Sequence, residues 1–187
     1  MEVEPIRDLE KIAAMKKILR SDSFRDEALF VIGINTALRI GDLLSLTIGD
    51  VLDEKRQLTK SIELKEQKTG KIKQFPINDS VKSVLSAYLP ERAEADRSEP
   101  LFLSKKGGSL SRWQARRILN AAGTAVGLER IGTHSLRKTF GYHVYKNTGG
   151  NIGLVQKLLN HSTAESTLRY IGINREQMNN IYLNLNL

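Results

Sequence analysis

Residues 133–170 read THSLRKTFGYHVYKNTGGNIGLVQKLLNHSTAESTLRY. His134 and Arg137 stand three apart, so on a helix they share one face and can reach a common point. HSLRKTFGYHVYKN reads as one helix stopped by Gly149 and Gly150, and Asn151 opens a second, IGLVQKLL. Asn160, a residue that tolerates positive φ, suits the end of this second helix just before His161. Ser162 or Thr163 then caps a short helix that carries Tyr170. His134, Arg137, His161 and Tyr170 together offer hydrogen-bond donors, a proton-transfer candidate and an oxygen nucleophile, with no carboxylate among the four. Such a set suits an anion.

The composition agrees. The chain has 187 residues, 40% of them hydrophobic and 27% charged, which is ordinary for one globular domain. Twenty-nine Lys and Arg against 21 Asp and Glu give a formal charge of +8, which favours a polyanion such as nucleic acid as partner. There is no cysteine, so disulfides and thiolate metal sites are excluded. No signal peptide or membrane-length apolar run is read, and a cytosolic protein is expected.

Upstream of the central stretch, DLEKIAAMKKILR reads as an amphipathic helix with Asp8 as N-cap, and FRDEALFVIGINTAL, opened by Asp22 or Ser23, as a mostly buried one. Gly41 is expected to break that helix, leaving Arg39 at a turn and starting a second short helix at Asp42. Arg39 is then either a solvated surface group or a partly buried guanidinium held by Asp42. SIELKEQKTGKIKQFPI alternates as a β-hairpin does, with Gly70 at the bend and Lys68 and Lys71 near the tip. Lysines at a hairpin tip are most often simply solvated. Asn78 or Asp79 caps SVKSVLSAYL, the 91–100 segment reads as a surface loop and the one pronounced linker, and Ser111 caps RWQARRILNAAGTAV. Arg112, Arg116 and Arg117 on that last helix are candidates for phosphate or groove contact, a solvated face being the alternative. NREQMNNIYLNLNL closes the chain as a further helix with a short apolar tail. The fold class that follows is mixed α+β, mainly α-helical, with a small antiparallel hairpin.

A single buried tyrosine or histidine is usually core, so the chemistry rests on the set. Two arginines supply fork-shaped permanent cations for the nonbridging oxygens of a phosphodiester, and a phenol can attack phosphorus once its proton is accepted. A Mg²⁺ hydrolase would want carboxylates that are missing here, two histidines alone make a poor zinc site, and no GxxxxGK[ST] phosphate loop is present.

With these residues in view, the chain resembles the catalytic domain of the tyrosine recombinase (phage integrase) family. TALRIGD matches the family's TGLRxxE-like pattern and gives Arg39, with Asp42 where Glu is usual. KTGKIKQFP matches the hairpin pattern and gives Lys68, eight residues before a proline. HSLRKTF matches the HxLR box with His134 and Arg137. LNH matches the LGH box with His161, Asn160 standing for Gly, and Tyr170 follows at the nucleophile spacing. The resemblance implies DNA cleavage and rejoining through a 3′-phosphotyrosyl link, without metal or nucleotide cofactor. It implies Tyr170 as nucleophile, Lys68 as general acid, Arg39 and Arg137 on the nonbridging oxygens, His161 adding a hydrogen bond, and His134 orienting or helping to deprotonate the phenol. It also implies double-stranded DNA as partner, a nucleoid-associated cytoplasmic protein, and a homotetramer on synapsed DNA, with a monomer in solution the alternative. Residues 174–187 would be the element exchanged between protomers. Residues 1–187 are expected to form a single catalytic domain without the N-terminal core-binding domain of most members. A DNA-binding module that has lost catalysis, and relaxation of the type IB topoisomerase kind, are the competing readings.

Overall fold

The computed structural model describes residues 3–68, 70–173 and 182–184. Helix α1 (Leu9–Asp22) starts where expected, Asp8 accepting hydrogen bonds from the amides of Glu10 and Lys11, and it buries Ile12, Met15 and Leu19. Those side chains pack on α2 (Phe24–Thr36), whose Ala28–Gly33 run is buried throughout. An all-round apolar helix of this kind belongs at the centre of a core.

The break after α2 differs from the sequence reading. The chain turns at Ala37, which adopts a left-handed conformation with φ 56°, and α3 (Ile40–Leu44) already begins at Ile40. Gly41 therefore lies inside a helix, where its lack of a Cβ serves close approach: a Cβ there would stand 2.5 Å from Arg112 Nη2 and 3.0 Å from Gln67 Oε1. A one-turn helix α4 (Ile48–Val51), which the sequence reading did not include, rests on a capping box between Thr47 and Asp50.

Strands β1 (Ser61–Lys65) and β2 (Ile72–Pro76) form the expected antiparallel hairpin, with Leu64 opposite Lys73. Gly70 takes a positive φ of 67° at the bend. Asn78 caps α5 (Asp79–Tyr88) by accepting from the Val81 amide. The 91–100 segment is no linker. Arg92, 8% exposed, pairs with Glu99 at 2.8 Å and donates to the Pro100 carbonyl, while the Tyr88 hydroxyl donates to that of Leu101 at 2.7 Å. Buried polar groups that need partners thus bind a charged, aperiodic stretch onto the core.

Helix α6 (Arg112–Ala125) opens with the capping box of Ser111 and Gln114. It is followed by α7 (Thr133–Asn147), α8 (Ile152–Leu159) and α9 (Ala164–Tyr170). Asn160 ends α8 in the left-handed conformation, φ 50°, and Thr163 caps α9. Ala37, Tyr142, Val155, Leu159 and Ile171 form a second apolar cluster that seats α8 and α9 on α7. Gly141 makes that seating possible, because a Cβ there would stand 2.7 Å from Ile171 Cγ2 and 3.1 Å from Leu159 Cδ1. Gly141→Ala is expected to destabilise the protein, overpacking by about 1–3 kcal/mol exceeding the ~1 kcal/mol that alanine adds to a helix. Urea denaturation checks this, and an unchanged or raised midpoint would contradict it.

Among the described residues the architecture is mainly helical with one two-stranded antiparallel sheet, the class read from the sequence. The exchange element expected at 174–187 lies outside the described residues apart from 182–184.

Candidate active site

Arg137, on the face of α7 turned toward the molecule's interior, is 3% exposed. Its Nη1 donates to the Ala37 carbonyl and its Nη2 to that of Leu159. One guanidinium thus ties the turn after α2 to the end of α8. Each terminal nitrogen carries two protons, so each keeps a second donor beyond these carbonyls.

Arg39 follows that turn, and its carboxylate partner is not Asp42. Arg39 Nη1 lies 3.0 Å from Oε1 of Glu66, which is buried at the end of β1. Asp42 instead accepts the Gln67 amide at 2.8 Å through Oδ1, while its buried Oδ2 has no hydrogen-bond partner among the described residues. The shorter Asp arm reaches the hairpin backbone, and the hairpin supplies the longer Glu for the arginine. Arg39 is therefore the partly buried guanidinium of the two sequence alternatives. Lys68 comes next along the hairpin and is exposed at its tip. A second lysine, Lys73, points inward from β2 and donates to the Leu158 carbonyl at 3.2 Å. Burial, then Arg137, lowers the pKa of its ammonium.

His161 follows Asn160, so the left-handed cap aims its ring. The ring packs edge-on against Tyr170 with centroids 4.9 Å apart. Its Nδ1 stands 3.3 Å from Thr167 Oγ1, whose single proton goes to the Thr163 carbonyl at 2.7 Å. Nδ1 must then be the donor, which leaves the Nε2 of a neutral ring with its lone pair outward. Tyr170 is half-buried. Burial raises its pKa, while the positive charges of Arg137 and Arg39 lower it. The Lys138 ammonium lies 5.3 Å from the centroid of the Tyr170 ring, and Lys138 itself is 5% exposed. Sequence reading passed over Lys138, Lys73 and Glu66. Lys138 adjoins Arg137, and the other two lie within five residues of Lys68, which was the only available signal.

His134 sits exposed at the start of α7. Arg39, Arg137, His161 and Tyr170 are thus gathered, His134 lies at the edge, and Lys68 remains on the exposed tip of a hairpin anchored beside them. Of the three arginines on α6, Arg112 reaches over Gly41 and acts on His134, whereas Arg117 stacks on the exposed Trp113 at 4.8 Å.

Both site histidines have pKa values lowered in the folded state, His134 by desolvation, Lys138, Arg137 and Arg112, and His161 by desolvation, Arg137 and Arg39. The unfolded chain then binds protons more readily, so the stability these rings contribute is complete above about pH 6.5 and is lost as pH falls toward their folded values. The DNA-free protein is expected to melt lower at pH 5.5 than at pH 7.5. A double His134→Gln, His161→Gln variant should show a smaller drop by calorimetry, and an equal drop would rule out this origin.

Comparison with known proteins gives a consistent picture. The model of the phage integrase family matches residues 6–177. The chain is 45% identical over 175 residues to the probable integrase/recombinase YoeC of Bacillus subtilis (strain 168), covering 93% of this chain and 92% of that protein. Its structure resembles that of XerA recombinase, with a TM-score of 0.75 and 22% identity over 97% of this chain and 63% of that one. It also resembles XerH site-specific recombinase bound to its difH substrate, with a TM-score of 0.71 and 20% identity over 97% of this chain and 55% of that one. The chain thus spans less than two thirds of both solved chains.

Proposed function

This chain belongs to the phage integrase family, and from that premise we propose that it is a site-specific tyrosine recombinase, a strand transferase that cuts and rejoins double-stranded DNA at the cluster around Arg137. The observation that carries the reading is the gathering of Tyr170 and His161, whose rings pack edge-on at 4.9 Å, beside the Arg137 and Arg39 guanidiniums. In this reading a nucleophile stands beside the cations for its target phosphate.

Tyr170 Oη attacks the scissile phosphorus, its bond to the 5′-oxygen breaks, and a 3′-phosphotyrosyl link forms. Lys68 gives a proton to the leaving 5′-oxygen, its hairpin tip moving onto DNA. Arg39 and Arg137 hold the nonbridging oxygens as charge develops there, which supplies the stabilisation that a metal gives elsewhere. The outward Nε2 of neutral His161, or His134 at the edge, accepts the phenol proton. Once charged, His161 donates to the phosphate. Rejoining is the same sequence run backwards by the 5′-hydroxyl of a partner strand, so the phosphodiester energy is conserved in the tyrosyl link.

We place the protein on DNA in the cytoplasm, where the +8 charge suits the nucleoid, and propose a tetramer on synapsed sites. No helix among the described residues is long and apolar enough to cross a membrane. Residues 1–187 form the catalytic domain in this reading.

The test is a suicide DNA substrate, nicked so that the cleaved end is lost, incubated in EDTA. A covalent protein–DNA adduct is expected, and an adduct that requires Mg²⁺ would overturn the mechanism. Lys68→Ala should slow cleavage of ordinary DNA by roughly 10²–10⁴-fold. It should recover on DNA whose leaving atom is sulfur, since a thiolate departs unprotonated. Failure of sulfur to rescue would remove Lys68 from the acid role.

A further inference from the structure

The hairpin is fastened on both sides of its tip. On the β1 side, Glu66 pairs with Arg39 at 3.0 Å and the Gln67 amide donates to Asp42 at 2.8 Å. On the β2 side, Lys73 donates to the Leu158 carbonyl at 3.2 Å, across a long separation in sequence. The adjacent carbonyl, that of Leu159, accepts from Arg137. Two consecutive carbonyls at the carboxyl end of α8 therefore receive two cations, one from β2 and one from α7. This is the negative end of the helix dipole, where cations are favoured. Two residues later stands His161. Arg137, Arg39, Glu66 and Asp42 are the charged groups that act on Lys73. An ammonium with these neighbours, on the strand that descends from Lys68, is well placed to set where the tip sits.

We propose that Lys73 is a positioning residue for the leaving-group proton: by clipping β2 to the carboxyl end of α8 it fixes the height at which Lys68 meets the scissile phosphate. The proposal rests on the reading of Lys68 as general acid, and it adds a second lysine whose loss is felt at the leaving oxygen rather than in folding. A solely structural contact would slow cleavage equally whatever atom leaves. A misplaced acid slows it only when the leaving atom needs a proton.

The experiment compares Lys73→Met, Lys73→Arg and Lys68→Ala in the full chain, on suicide DNA with oxygen and with sulfur at the bridging 5′ position. Lys73→Met is expected to form adduct roughly tenfold more slowly on oxygen, a smaller loss than removing the acid itself, and at the wild-type rate on sulfur. Lys73→Arg, which keeps a cation of similar reach, should keep the wild-type ratio between the two substrates. If Lys73→Met does not fold, Lys73→Ala takes its place and is read the same way: slowing on oxygen alone supports the clip, and equal slowing on both substrates, or none on either, overturns it. Equal slowing of Lys73→Met on both substrates, or none on either, overturns the proposal. The Lys68→Ala arm reports separately: if sulfur rescues Lys73→Met but not Lys68→Ala, the general-acid reading of Lys68 fails, and so does positioning through it.

Discussion

Tyr170→Phe is expected to abolish the covalent adduct on suicide DNA and to leave DNA binding close to wild type. The change removes one hydroxyl from beside the Arg137 guanidinium. The packing survives, because the ring keeps its edge-on contact with His161 at 4.9 Å and the Lys138 ammonium over its face at 5.3 Å. Among the described residues, two other tyrosines are withdrawn from attack on phosphorus. Tyr88 is 2% exposed and commits its hydroxyl to the Leu101 carbonyl, and Tyr142 is buried beneath α8 and α9 at 9% exposure. Denaturing gels score the adduct, and fluorescence anisotropy scores binding. An adduct that persists in Tyr170→Phe, or that peptide mass mapping places on another tyrosine, would overturn the assignment of the nucleophile.

Arg137→Lys is expected to lose about 10²–10³ in cleavage rate, equivalent to ~2.7–4 kcal/mol, the cost of removing one preorganised donor from a developing oxyanion. Lysine keeps the charge, so affinity for DNA, to which many phosphates contribute, changes little. It cannot keep the geometry. Arg137 holds the Ala37 and Leu159 carbonyls at once, and a single ammonium cannot reproduce a planar fork that spans two elements and also serves the phosphate of the proposed reaction. A buried carbonyl left without its donor adds a stability loss of about 1–3 kcal/mol. Cleavage must therefore be measured well below the melting temperature of the variant. Equal single-turnover rates for the folded variant and the wild type would remove Arg137 from the phosphate site.

These two residues were legible because their signals are local or depend on fixed spacing. Helix caps act over three or four residues, so Asp8, Asn78, Ser111 and Thr163 could be read as starts from their own neighbourhoods. Asn160 announced the turn that aims His161, since few residues tolerate positive φ. The order of Arg39, Lys68, His134, Arg137, His161 and Tyr170 along the chain was enough to identify the family, and the charge of +8 to indicate a polyanionic partner.

Tertiary structure decided the partners. Glu66 rather than Asp42 faces Arg39, because a carboxylate's reach is set by where the hairpin packs and not by its distance in sequence. The break after α2 falls at Ala37, an unpromising residue for a left-handed turn, and the Arg137 side chain binds that turn's carbonyl from α7. The 91–100 stretch looked like a linker by composition and is bound down by Arg92, whose burial is a property of the folded core. Lys73 and Lys138 are two of many lysines in the sequence, and only the packing of β2 against α8 and of α7 against α9 singles them out. Local free energies of capping and turn formation are encoded in neighbouring residues, so sequence alone determined most of the elements and named the candidate site residues. Ion pairs and buried donors join positions far apart in the chain, and their geometry exists only once the core has formed.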